Sequence, residues 1–190
     1  MDERAVEQLA ALQVAILPGS MISRLGMAFV REFYRFASRS AEEIVLWKSE
    51  GRELIGGCVA SLRPQTLSWR LMFRTTLAWR LLRLPFRVLL AQVTQREAAG
   101  TSMGDMPELI LLFTRGDVRS RGIGAQLLRE CESELARRGA TEYYVKTIDT
   151  ENNRAIAFYL REGFEVRGRR IIHTERFCFL SKRIPVAKAS

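Results

Sequence analysis

Leu109-Ile110-Leu111-Leu112-Phe113-Thr114-Arg115-Gly116-Asp117-Val118-Arg119-Ser120-Arg121-Gly122-Ile123-Gly124-Ala125-Gln126-Leu127-Leu128 is the stretch on which the fold turns. Leu109 to Phe113 has the length and continuity of a strand covered on both faces, and Thr114 to Asp117 reads as a turn. Past the glycines, Gly124, Leu127, Leu128, Cys131 and Leu135 recur at helical spacing, leaving Arg129, Glu130, Glu132, Glu134, Arg137 and Arg138 for solvent. Gly139 is placed to end that helix, because glycine accepts the left-handed conformation that follows a last turn. A strand, a glycine loop and a helix start aim unpaired N–H groups and the positive end of the helix dipole at one spot. The natural occupant is a phosphate or pyrophosphate.

Two familiar phosphate loops do not fit. A Walker loop needs Lys-Ser or Lys-Thr after its last glycine, where this chain has Ala125-Gln126. The dinucleotide fingerprint needs a third glycine where Leu127 stands. The pattern Arg119-x-x-Gly122-x-Gly124-Ala125 is instead similar to the acyl-CoA loop of the GNAT superfamily of N-acetyltransferases. A second stretch, Asn152-Asn153-Arg154-Ala155-Ile156-Ala157-Phe158-Tyr159-Leu160-Arg161-Glu162-Gly163-Phe164, resembles another motif of that family at the family's order and spacing. Asn152 or Asn153 can start this helix, Ala155, Ile156 and Tyr159 share a side, and Gly163 closes it. Tyr143 to Ile148, rich in β-formers, reads as the strand between the two motifs.

The resemblance covers Glu108 to Phe164, and it carries expectations about the site. In the family, the strand before the glycine loop and the next strand splay apart, and acetyl-CoA, the co-substrate, lies in the gap. Pyrophosphate contacts are then expected from the N–H groups of Arg121, Gly122, Ile123, Gly124 and Ala125, with charge from Arg119 and Arg121. The oxyanion donor is expected from main-chain N–H groups near Phe113 and Thr114. Tyr159 takes the place of the general acid that protonates the CoA sulfur, against the alternative of a packed tyrosine with an exposed tip. Glu108 resembles the general base of some histone-modifying members, against the alternative of a solvated acid at a strand start. Asn152 approaches the pantetheine arm or simply caps the helix.

The rest of the chain agrees with a single domain over 1–190. A length of 190 residues and 47% hydrophobic content suit one globular core. Ala11 to Ile16 reads as a first strand, although its upstream neighbours equally suit a short helix. Ser20 or Ser23 can cap a helix reaching Ser38, with Ile22, Leu25, Phe29, Phe33 and Phe36 on its apolar side. Glu43–Lys48 and Leu54–Ala60 flank the polar turn 49–52 as a hairpin, and Phe164–Arg167 and Glu175–Leu180 supply two last strands around a turn or bulge at 168–170. The expected fold class is α/β: a mixed, mostly antiparallel central sheet flanked by helices, with an inserted helical segment. Cys58, Cys131 and Cys178 have no metal spacing and are odd in number, and no secretory signal opens the sequence, so a cytoplasmic enzyme without a metal is expected. His173, the one histidine, offers no Ser/His/Asp or Cys/His constellation, which disfavours a hydrolase.

The expected insertion spans about 63–107. Arg63, Arg70, Arg74, Arg80, Arg83, Arg87 and Arg96 punctuate it, no acidic residue lies between Leu54 and Arg96, and these cations supply most of the net charge of +9. Trp69, Leu71, Phe73, Leu77, Trp79, Leu82, Phe86 and their neighbours suggest one or two amphipathic helices broken near Pro85. Three readings stay open: a helical cap with its arginines in water, a grip on an anionic acceptor such as a nucleotide-linked amino sugar, or docking on an anionic membrane surface. Apolar runs are too interrupted for a membrane span, and nucleic acid is disfavoured for lack of any recognition motif. The expected activity is transfer of an acetyl group from acetyl-CoA to a primary amine of a small molecule such as an amino sugar. Protein N-terminal or lysine acetylation, and a non-catalytic acyl-CoA-binding module, are the alternatives. By family analogy a homodimer through the last strands is also expected.

Overall fold

The computed structural model describes residues 1–74, 103–118, 121–151, 153–172 and 174–185, with the backbone course alone at 72–74. Arg119, Asn152, His173 and most of the expected insertion lie outside the described residues.

The chain opens on a helix, α1 (Glu3–Ile16), capped where the Asp2 carboxylate accepts the Ala5 N–H at 2.8 Å. Its buried positions Val6, Leu9, Ala10 and Gln13 fall three and four apart, so the helical period extends through the segment 11–16 that the sequence offered as a strand. The expected second helix is split. Ser20 caps the short α2 (Met21–Arg24), Gly26 turns the chain at φ 90°, and α3 (Met27–Ala37) follows. Only glycine takes that φ without strain, so Gly26 sets the break.

Six strands form one sheet: β1 (Glu43–Glu50), β2 (Glu53–Ser61), β3 (Glu108–Thr114), β4 (Glu142–Ile148), β5 (Glu165–Ile172) and β6 (Glu175–Arg183), in the order β1-β2-β3-β4-β6-β5. Every pairing is antiparallel except β3 with β4. Of the turn or bulge expected at 168–170, the structure has a bulge, between Val166 and Gly168, and β5 runs on to Ile172. Helices α5 (Ile123–Arg137) and α6 (Arg154–Arg161) cover one face, where Leu127, Leu128, Cys131 and Leu135 meet Cys58, Ala60, Leu109, Val145 and Leu180. Across the sheet, α1 and α3 bring Leu9, Val30, Phe33 and Tyr34 onto Val59, Leu111 and Phe113. Gly57 on β2 is where this second layer comes closest: a Cβ there would stand 2.7 Å from the Phe113 ring and 2.9 Å from Leu9.

Two charged side chains, Glu132, assigned to solvent by its spacing, and Arg70, whose role stayed open, are structural. Glu132 on α5 is buried, accepts the Tyr143 hydroxyl at 2.6 Å and pairs with Lys182 at 2.6 Å. Arg70, on α4 (Leu67–Arg74) at the start of the insertion, donates to both carboxylate oxygens of Glu43 at 2.8 and 2.7 Å. It is therefore neither a solvated arginine nor an anion grip. Its Nη1 and Nη2 also reach Ser40 Oγ, Ser61 Oγ and the Arg63 carbonyl.

Candidate active site

The gap follows from where two strands stop pairing. β3 and β4 are in register only at Glu108↔Tyr144 and Leu109↔Val145, while both continue in length to Thr114 and Ile148. On its other edge β3 stays paired with β2 through Gly56↔Thr114, and the Arg115 N–H donates to the Ile55 carbonyl at 2.8 Å. Alternation along an antiparallel pair then turns the Phe113 main-chain groups towards β2, and those of Leu112 and Thr114 into the gap. Of the two residues expected to supply an oxyanion donor, Thr114 turns its main-chain groups to the opening and Phe113 does not, while those of Leu112 do. Sequence could not reveal this, because it depends on the β2 register and not on residue type.

Beyond Thr114 the glycine loop delivers α5. Gly122 is its N-cap at φ 77° and offers no side-chain cap. Gln126 makes the first backbone bond, to the Gly122 carbonyl at 2.9 Å, so the N–H groups of Gly122, Ile123, Gly124 and Ala125 have no partner among the described residues. The Arg121 N–H, expected in this cradle, is held by the Val118 carbonyl at 3.2 Å. Its guanidinium lies on the rim, 3.3 Å from Glu50. A Cβ at Gly124 would sit 3.6 Å from the Phe158 ring and 3.9 Å from Thr114, so the loop, the end of β3 and α6 converge. This cradle fits a pyrophosphate: aligned donors, a helix start and no competing carboxylate cap.

On α6, Tyr159 lies one residue after Phe158 and is buried, with its ring edge-on to Phe158 and Phe164. Three of the four tyrosine hydroxyls are bonded: Tyr34 to Gln13 at 2.7 Å, Tyr143 to Glu132 at 2.6 Å and Tyr144 to Glu108 at 2.7 Å. The fourth, Tyr159, has no hydrogen-bond partner among the described residues. Its oxygen is not sealed from solvent, so it is open to a water or a ligand. Burial, reinforced by the Cys58 and Cys131 thiols, pushes its phenol above the ordinary range, so it keeps its proton at neutral pH. Asn153 is the N-cap of α6, accepting the Ala155 N–H at 2.8 Å. Its amide also donates to Thr147 at 3.3 Å and to the Ile148 carbonyl, which ties the far wall of the gap to the helix.

Glu108 occupies the other end of β3, on the face of the sheet that carries α1 and α3. It is 6% exposed; one carboxylate oxygen accepts the Tyr144 hydroxyl at 2.7 Å and the other pairs with Lys146 at 3.0 Å. It is therefore not a solvated strand-start acid. Tyr144 and Lys146 went unnoticed in the sequence, although period two along β4 puts them on one face. Among the described residues no group of three or more His, Cys, Asp and Glu side chains could hold a metal ion.

The structure thus combines a parallel strand pair that parts after two residues, a helix start at a glycine loop without a side-chain cap, and a tyrosine hydroxyl without a partner among the described residues. The profile of the acetyltransferase (GNAT) family matches residues 14–164. The chain belongs to the GNAT family. It is an acyl-CoA-dependent N-acetyltransferase with acetyl-CoA as co-substrate. No curated protein matches the sequence. Among solved structures, this GNAT chain resembles an aminoglycoside 6'-N-acetyltransferase complexed with coenzyme A at 16% identity and TM-score 0.63, over 94% of this chain and 90% of that one. It also resembles an N-acetyltransferase from Staphylococcus aureus Mu50 (15% identity, TM-score 0.66, 95% and 97% covered). A third is the ribosomal-protein-S18-alanine N-acetyltransferase from Escherichia coli (11% identity, TM-score 0.61, 98% and 92% covered). At these identities the likeness concerns the GNAT fold. Among the described residues no helix is long and apolar enough to cross a membrane.

Proposed function

We propose that the chain transfers the acetyl group of acetyl-CoA directly to the primary amine of a small molecule, an amino sugar being the representative class, with Glu108 as general base and Tyr159 as general acid. The observation that carries this reading is that a buried carboxylate stands where the gap opens and that Tyr159 is the one tyrosine whose hydroxyl has no partner among the described residues. Acetyl-CoA supplies the activated thioester. Glu108 takes the amine proton through a water, the Leu112 N–H faces the developing oxyanion, and Tyr159 gives its proton to the departing sulfur.

Thiol release measured over a panel of amino sugars, aminoglycosides and a peptide with N-terminal alanine tests the acceptor class. Turnover of the peptide alone would favour the protein-acetylating alternative. Tyr159→Phe is expected to lower kcat about ten- to hundredfold with acetyl-CoA affinity unchanged, at the low end for acid catalysis because a thiolate of pKa about 8.5 leaves with little help. Equal rates would return Tyr159 to a packing role.

The cradle has its own test. Gly122→Asn and Gly122→Asp share shape and both tolerate a left-handed backbone better than other residues, so they differ mainly in charge. Calorimetry is expected to find the Asp variant weaker for acetyl-CoA than the Asn variant by about tenfold or more, and the difference shrinks with added salt. Matching affinities would remove the pyrophosphate from this loop.

A further inference from the structure

We infer that Lys146 selects the acceptor, favouring an amine whose own scaffold carries a carboxylate or phosphate close by over a polycation. This rests on the reading of Glu108 as the group that receives the acceptor's amine. Lys146 lies next to Val145, which makes the last parallel pair with Leu109, so it stands where β3 and β4 begin to part. Its ammonium is 3.0 Å from Glu108, and the two side chains differ in exposure, 35% for Lys146 against 7% for Glu108. An arriving acceptor therefore meets the cation before the carboxylate.

The surrounding charges point the same way. Glu43, in register with Glu108 through Ser61, is saturated by Arg70 and by the Ser61 hydroxyl at 2.9 Å. Further along the same face Glu142 is taken by Ser181 at 2.7 Å and by Arg167 at 2.9 Å. Phe179 stacks on Tyr144 with 6.4 Å between ring centroids, and the Arg170 guanidinium lies 5.2 Å over Phe179. Every carboxylate named on this face is matched by a cation. A second ammonium on the acceptor gains nothing at Glu108 and is repelled by Lys146. An anionic group on the acceptor takes Lys146 as a charge-assisted partner while the neutral amine donates to Glu108.

The test compares kcat/KM for glucosamine 6-phosphate, glutamate, glucosamine and spermidine in wild type, Lys146→Met and Lys146→Glu. Binding of the same four amines to the CoA-loaded protein, by calorimetry, gives a second reading that does not depend on turnover. Wild type is expected to prefer the two anionic amines, and comparison of these two separates phosphate from carboxylate as the preferred anion. Lys146→Met flattens the ranking. Lys146→Glu inverts it, changing the ratio of glucosamine 6-phosphate to spermidine about a hundredfold. Retained acetyl-CoA affinity shows that the variants fold. An unchanged ranking in both variants overturns the inference. Full activity in Glu108→Gln overturns the base assignment instead, so the two failures can be told apart.

Discussion

Glu108→Gln is expected to lower kcat about 10²- to 10⁴-fold while leaving acetyl-CoA affinity at the wild-type value. Glutamine keeps the size and can still accept the Tyr144 hydroxyl, but it cannot take a proton from the amine. The structural cost is small by comparison. Lys146 loses its partner, yet at 35% exposure water replaces it, and such a half-exposed pair contributes at most about 1 kcal/mol. Cofactor binding is spared by distance: Glu108 and Thr114 mark opposite ends of β3, about 20 Å apart at the rise of a strand, and the glycine loop lies beyond Thr114. Steady-state kinetics, calorimetry and thermal unfolding on the same preparation separate the three quantities. A fall in melting temperature with kcat retained would make Glu108 a structural partner of Tyr144 and Lys146.

The part of this molecule that was legible in advance is the part built from local backbone requirements. Gly139 was placed where the chain takes positive φ, at 82°, and the apolar spacing from Leu127 to Leu135 could describe only a helix laid on a sheet. Register was not legible. Which N–H groups enter the gap depends on how β2 pairs with β3, so Leu112 could not be distinguished from Phe113 until Gly57↔Phe113 was known. Burial of charge was equally hidden. Glu132 follows the spacing of solvent positions, and only the Tyr143 and Lys182 side chains brought in from other elements make it an interior group, just as the buried partner of Arg70, Glu43, comes from a distant strand. The first helix escaped a firm assignment because 11–16 taken alone alternates like a strand; the Asp2 cap and the Val6, Leu9, Ala10 spacing upstream decide it.

Arg70→Ala is expected to destabilise the fold by about 3 kcal/mol, the low end for breaking a buried ion pair. The reason is asymmetry. Arg70 is partly exposed, at 21%, whereas the Glu43 side chain it serves is 0% exposed, so the alanine variant strands a carboxylate with the Ser61 hydroxyl as its remaining partner. The converse variant, Glu43→Gln, keeps a hydrogen-bonding side chain beside an arginine that can still reach water and the Arg63 carbonyl, and is expected to cost less than half as much. Removing both charges together, as Glu43→Leu with Arg70→Met, should recover most of the loss, since an apolar pair of similar volume needs no compensation. Urea unfolding of the three variants reads the differences directly. Equal losses for the two single variants would show that the pair acts as a symmetric contact. Destabilisation of the double variant beyond Arg70→Ala would show that the remaining bonds of Arg70, to Ser40, Ser61, Thr66 and the Arg63 carbonyl, and not its charge, hold α4 against the sheet.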